Sequence, residues 1–242
     1  MIKAVIFDID GTLYDYDSAN KEAMKAVSEY AAAQFGWDSA RFPAENKAMM
    51  KTLGGFLNGT AASHNRLIRY QNILEKHGLP LHPHALKMHA LYWDTLLCCM
   101  RMSPGADCVM EELKKRGVRI GIGTDMTARI QFLKLERLGL LPFVDFLVTS
   151  EEAGAEKPDG KLFRRCAEKA GAAPAECLFV GDSLEKDYRG AKAAGMQALW
   201  FRPEEKAAAA GPGKGAKIPA GERIASLEEI PGILRLSGGE PR

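Results

Sequence analysis

The chain has 242 residues, 46% hydrophobic and 26% charged, the proportions of a soluble globular protein long enough for one large domain or a domain with a sizeable insertion. Its net charge is +2 with both signs interspersed, which gives no footprint for a nucleic acid polymer or an anionic membrane, and no apolar run approaches the roughly 20 residues needed to span a bilayer. Five cysteines without a CxxC pair point to reduced thiols in a cytoplasmic protein and argue against a zinc site.

The first element is the run Ala4–Phe7, apolar at every position and followed at once by Asp8 and Asp10. A short run that is apolar on both faces predicts a central strand of a parallel sheet covered by helices on each side. Its acidic end arrives too early for a signal peptide. Asp8 sits where the run should still be buried, so an ionised carboxylate there needs a partner or a metal. The spacing of Asp8 and Asp10 puts both carboxylates on one side of the strand, where a cation or a shared proton must relieve their repulsion.

From Asp15 the rhythm turns helical and stays so to about Met102. Four helices are expected: Ala19 to Phe35, capped by Ser18 and ended by Gly36; Pro43 to Leu53, ended by Gly54 and Gly55; Thr60 to Lys76; and Pro83 to Met100. All five histidines, from His64 to His89, fall in this segment, so a Ser-His-Asp or Cys-His arrangement would have to draw on it.

Ser103-Pro104-Gly105 returns the chain to strand–helix alternation. Helices are expected over Ala106–Arg116, Ala128–Leu138, Pro158–Ala170 and Leu184–Ala194, and strands over Val118–Thr124, Phe143–Thr149, Cys177–Asp182 and Gln197–Phe201. A short strand and a last helix follow within Ile224–Leu236, after an Ala-, Gly-, Lys- and Pro-rich segment, 203–221, that reads as a mobile surface stretch. This alternation predicts an α/β fold, a Rossmann-like doubly wound parallel sheet formed by residues 1–16 and 102–242, with an all-helical domain, 17–101, inserted as a lid at the carboxyl edge of the strands. Gly121-Ile122-Gly123 is not a dinucleotide fingerprint, because Met126 stands at the third glycine position.

Every core strand up to the fourth delivers a charged or hydroxyl group to one edge: Asp8 and Asp10, then Thr124-Asp125, then Glu156-Lys157, then Asp182-Ser183 with Asp187 just beyond. Clustered carboxylates suit a hard cation such as Mg2+, and a lysine and a threonine opposite would hold an anion beside it. Metal, anion hole and a carboxylate at close range make a phosphoryl-transfer site.

Four ordered stretches, DIDGT at Asp8–Thr12, the apolar strand ending in Thr124, Lys157-Pro158, and GDSLEKD at Gly181–Asp187, give the chain its resemblance to the haloacid-dehalogenase-like (HAD) hydrolase superfamily, subfamily I with a helical C1-type cap. SEEAGAEKPDGKLF and GTDMTARIQ look most similar to its pyrimidine 5'-nucleotidase and N-acylneuraminate-9-phosphatase branch. The resemblance implies a Mg2+-dependent phosphoric monoester hydrolase acting on a small phosphorylated metabolite, a nucleotide or sugar phosphate, as a monomer or homodimer. Asp8 would be the nucleophile that forms an aspartyl-phosphate, and Asp10 the acid and then the base, its pKa raised for that purpose by neighbouring negative charge. Thr124, Lys157 and Asp125 would stand at the phosphate. Asp8, the Asp10 main-chain carbonyl and Asp182 would bind Mg2+, with Asp187 behind them. Asp10 also favours a phosphatase over a dehalogenase, because a halide leaves without a proton. Asp125 departs from the family's usual Asn and would repel phosphate unless turned away or protonated. Arg66, Arg69, His89 and Trp93 are the cap residues expected to meet substrate. A phosphomutase or phosphotransferase of the same fold, and a catalytically silent binding module, are the alternatives.

Overall fold

The structure is a computed structural model that describes residues 1–204, 218, 219 and 221–237. Most of the segment expected to be mobile, 203–221, lies outside the described residues. The chain divides into two compact units, Met1–Tyr14 with Met102–Arg242, and Asp15–Arg101. No helix among the described residues is long and apolar enough to cross a membrane.

The first unit holds a parallel sheet of six described strands in the order β3-β2-β1-β4-β5-β6. They are β1 (Ala4–Phe7), β2 (Arg119–Thr124), β3 (Phe146–Thr149), β4 (Cys177–Gly181), β5 (Gln197–Phe201) and β6 (Arg223–Ile224). This is the expected doubly wound α/β class. β1 is central, and all four of its residues are buried. Ala4 and Ile6 join a cluster with Phe163, Cys166 and Phe179 beneath the helix Gly160–Ala170, and Val5 and Phe7 turn to the opposite face. Fully burying each large side chain of this kind contributes about 1.5–3 kcal/mol.

Register fixes where the chemistry emerges. Phe7 lies opposite Ile122 on one side and Val180 on the other, and the Asp8 N–H makes a last bond to the Val180 carbonyl at 2.9 Å. The carboxyl ends of β1, β2 and β4 therefore open together, at the point where the strand order reverses. Two glycines of β2 serve packing: a Cβ at Gly121 would collide with the Phe146 ring, and one at Gly123 with Phe179 and Cys166.

Several boundaries moved for physical reasons. β3 starts at Phe146, because Leu141–Phe143 closes into a 3-10 turn, and Ser150–Ala153 forms a short helix capped by the Thr149 hydroxyl. Pro158 precedes rather than opens its helix, whose N-cap is Asp159. Leu184–Arg189 is a π-helical turn leading into the α-turn Gly190–Ala193.

The second unit is all helical: α1 (Tyr16–Phe35), α2 (Arg41–Leu57), a 3-10 turn (Ala61–His64), α3 (Arg66–Lys76) and α4 (His84–Cys99). The cap of α1 is Asp15 rather than Ser18. The Gly54-Gly55 pair does not end α2, which runs a turn further to Leu57. The single helix expected from Thr60 is broken at Asn65, whose side chain accepts from the Leu67 and Ile68 N–H groups and so starts α3 afresh. α1 packs mainly against α4, where the Tyr92 hydroxyl donates to Asn20 Oδ1 at 2.6 Å.

Candidate active site

Asp8 is buried where β1 ends, with Oδ1 2.7 Å from Lys157 Nζ. Lys157 comes from the loop after β3, is itself buried, and places the same nitrogen 2.7 Å from Asp187 Oδ1. Asp187 is fixed in turn by the Ser183 N–H at 2.9 Å, a bond made within the π-helical turn. Burial pushes the Asp8 carboxyl up to about 8; the Lys157 charge opposes that rise, and the charges of Asp187, Asp182 and Asp10 add to it. Burial alone would lower Lys157, but Asp187, Asp8 and Asp125 outweigh it and hold the ammonium charged far into the alkaline range.

Asp10 behaves differently from expectation. The period-two alternation stops with β1 at Phe7, so the two carboxylates part company after the strand ends. Lys134 Nζ grips both oxygens of Asp10, at 2.6 and 2.7 Å. Gln131 Nε2 donates to Oδ2 at 3.2 Å, and the Tyr14 hydroxyl makes a very short bond to Oδ1. Burial pushes the Asp10 carboxyl up, but the Lys134 charge and the hydrogen bonds from Lys134, Tyr14 and Gln131 win and hold it below the ordinary carboxylate range. The raised pKa expected for an acid is thus reversed in the free site.

Thr124 is buried at the end of β2, and its hydroxyl accepts from Gln131 Nε2 at 2.8 Å. Asp125 is accommodated by pairing. Its Oδ1 accepts from the Lys157 main-chain N–H at 2.9 Å and its Oδ2 lies 2.9 Å from Lys186 Nζ. An amide at this position would supply only one acceptor for these two donors. Met126 follows with φ 96°, a strained value for a residue with a side chain, secured by its N–H bond to Ser150 Oγ at 2.8 Å.

One carboxylate oxygen from each of Asp8, Asp182 and Asp187 lies within 4.8 Å of the others. Hard oxygen donors at that spacing fit a hard divalent cation. Asp182 is braced from behind by the Trp200 indole N–H, which donates to its carbonyl at 2.8 Å. Gly11, at φ 85°, passes so close that a Cβ there would strike the Asp182 carboxylate. The Asp10 carboxylate is not in this group, being committed to Lys134.

Comparison with protein families matches residues 2–195 to the haloacid dehalogenase-like hydrolases. The chain belongs to that family. It is 39% identical over 209 residues to the ribulose-1,5-bisphosphate 5-phosphatase of Halopiger xanaduensis, covering 85% of this chain and 87% of that one. It is 32% identical over 207 residues to the glyceraldehyde 3-phosphate phosphatase of Methanopyrus kandleri, covering 84% of each. Among solved structures, a HAD phosphatase from Thermococcus onnurineus superposes with a TM-score of 0.72 at 27% identity, over 96% of this chain and 98% of that one. This HAD hydrolase is therefore a phosphoric monoester hydrolase with a Rossmann-like core.

Seen as a HAD core, the site contains three residues that the motif reading passed over: Lys134, Gln131 and Tyr14. A signal was present in the helix Ala128–Arg137, which we label α6 after α5 (Ala106–Lys115). Lys134 lies four residues after Ile130, and Gln131 four before Leu135, so both polar residues stand on the face that packs inward. In the helical unit, the Arg66 guanidinium lies 4.1 Å from the Tyr92 ring centroid and 4.6 Å from that of Trp93, and it donates to the Tyr16 hydroxyl at 3.0 Å. Arg69 donates to the Ser63 carbonyl at 3.3 Å, and His89 stands edge-on to Trp93. Arg66, His89 and Trp93 form one group on α3 and α4, with Arg69 a turn further along α3.

Proposed function

We propose that this HAD hydrolase is a Mg2+-dependent phosphatase of small sugar phosphates, working through an aspartyl-phosphate on Asp8. The observation that carries the reading is the buried Asp8 carboxylate set 2.7 Å from the Lys157 ammonium, with Asp182 and Asp187 beside it. The phosphosugar class is supported by the names of the relatives, which act on ribulose-1,5-bisphosphate and glyceraldehyde 3-phosphate and align over more than four-fifths of this chain.

In the first half-reaction an Asp8 oxygen forms a bond to phosphorus as the bond from phosphorus to the sugar oxygen breaks. Asp10 passes a proton to that departing oxygen. Because Asp10 is ionised at rest, the proton must be taken up when the substrate binds as its monoanion. In the second half-reaction Asp10 takes a proton from the water that attacks phosphorus, releasing phosphate and restoring Asp8. Lys157 and Thr124 hold the phosphoryl oxygens throughout. Bound to Asp8, the Asp10 main-chain carbonyl and Asp182, with Asp187 behind, Mg2+ would neutralise the clustered charge and keep Asp8 ionised as a nucleophile. Arg66, Arg69, His89 and Trp93 are the helical-unit groups we assign to substrate recognition. The five free thiols support a reducing, cytoplasmic setting.

Phosphate release should be assayed with Mg2+ against ribulose 1,5-bisphosphate, glyceraldehyde 3-phosphate and a panel of nucleoside monophosphates. The expected result is metal-dependent release with kcat/KM highest for a sugar phosphate. Preference for a nucleotide would overturn the substrate class. A sugar phosphate that is isomerised with its phosphate retained would mark a mutase, and binding without turnover a silent module.

A further inference from the structure

Lys134 and Gln131 are both fully buried, one helical turn apart on α6. Burying an ammonium and an amide in a helix face that could carry leucines is costly unless both are engaged. Neighbouring Ile130 and Leu135 supply the apolar packing of that turn. The polar pair is directed at two groups of the reaction centre at once. Lys134 holds both Asp10 oxygens, which fixes the plane of the carboxylate as well as its position. Tyr14, whose ring centroid stands 5.8 Å from Lys134 Nζ, closes the grip on Oδ1. Gln131 Nε2 reaches Asp10 Oδ2 at 3.2 Å, Thr124 Oγ1 at 2.8 Å and the Asp125 carbonyl at 2.8 Å.

The amide can sit only one way round. Turned over, its oxygen would face the Asp10 carboxylate and the Asp125 carbonyl, neither of which can donate. In the orientation it takes, Oε1 is buried and has no hydrogen-bond partner among the described residues. An orphaned acceptor is a local sacrifice of stability, and it makes sense where the nitrogen's three contacts serve function.

We propose that Lys134 and Gln131 are positioning residues: one rigid turn of α6 aims the Asp10 carboxylate at the leaving-group oxygen and ties it to the phosphate-binding hydroxyl of Thr124. This rests on the reading of Asp10 as the proton donor. A misplacement of about 1 Å in a reacting group costs on the order of 10²-fold in rate. The loss should fall on substrates whose leaving oxygen needs a proton, because acid help is worth about 10²–10⁴ for those and little for an activated ester.

The test compares kcat/KM, which reports steps up to leaving-group departure, for p-nitrophenyl phosphate and for glycerol phosphate in Mg2+. For Lys134→Met we expect about a 10²-fold loss on glycerol phosphate and less than about 10-fold on the aryl ester. For Gln131→Leu the same selectivity should appear with a smaller loss, and Lys134→Arg should recover part of it. In an Asp10→Asn background Lys134→Met should remove little more, since both act through one group. An equal loss on both esters, or no loss, overturns the proposal. If Lys134→Met does not fold, Gln131→Leu decides by the same criterion. If Asp10→Asn itself shows no leaving-group dependence, the Asp10 assignment has failed. If it shows that dependence and the α6 variants do not, only the positioning role has failed.

Discussion

Asp8 is a buried carboxylate whose proton affinity, raised from 3.8 to about 8, works against the stability of the folded chain. The folded form holds that proton more tightly than the unfolded chain. The stability it contributes is therefore full below about pH 4 and is lost as pH rises toward 8. Asp8→Asn keeps the shape, removes the charge and leaves Lys157 paired with Asp187. The variant should have no measurable phosphatase activity. In chelator at pH 8 it should melt above the parent, with the gap narrowing at pH 5. Calorimetry at the two pH values checks this, and an active Asp8→Asn protein would end the nucleophile assignment. Asp125 is paired with Lys186 and with the Lys157 N–H. The sequence places Lys186 in the GDSLEKD stretch but cannot tell that it turns back toward Asp125.

At the scale of the element, helix limits depended on local chemistry that a pattern reading weights wrongly. Glycine is a good stop signal only where the chain leaves the helix in a left-handed turn, as at Gly36 with φ 67°. Gly54 and Gly55 lie inside α2, with nothing within 4 Å of where a Cβ would be. Gly55→Ala should therefore stabilise the protein by about 0.5–1 kcal/mol, with a higher Tm and unchanged turnover. A lower Tm would mean that the exposed flank of α2 is constrained by something other than helix propensity. Conversely, Asn65 looked like a mid-helix residue and is a cap, because its side-chain oxygen offers the backbone a competing bond. The polar pair on α6 escaped notice for a related reason. Gln131 and Lys134 interrupt an apolar face, which as a one-dimensional pattern reads only as a weaker helix.

For the whole molecule, the decisive property is that β1, β2 and β4 end together, so that carboxylate oxygens of Asp8, Asp182 and Asp187 lie within 4.8 Å of one another. Chelation should abolish turnover. At pH 8, Mg2+ at about 100 times its Kd should stabilise the folded form by about 2.7 kcal/mol, roughly 5–10 °C in Tm for a chain of this size. The gain should shrink toward pH 5, where a protonated Asp8 competes with the metal. A Tm indifferent to Mg2+ at pH 8 would exclude the cluster around Asp8 and Asp182 as a cation site.

The sequence by itself determined the class of fold, the order of the motifs and the family. A strand buried on both faces is legible as an unbroken apolar run, and the charges after Phe7, Ile122 and Val180 all fall at strand ends. The tertiary structure alone decided what each carboxylate does at rest. Asp8 and Asp10 are two residues apart, yet one is pushed up to about 8 and the other is held below the usual carboxylate range. That difference comes from Lys134, Gln131 and Tyr14, which reach Asp10 from α6 and from the turn after β1. Proton affinity is set by burial and by charges a few ångströms away, and such distances are fixed only when the elements pack.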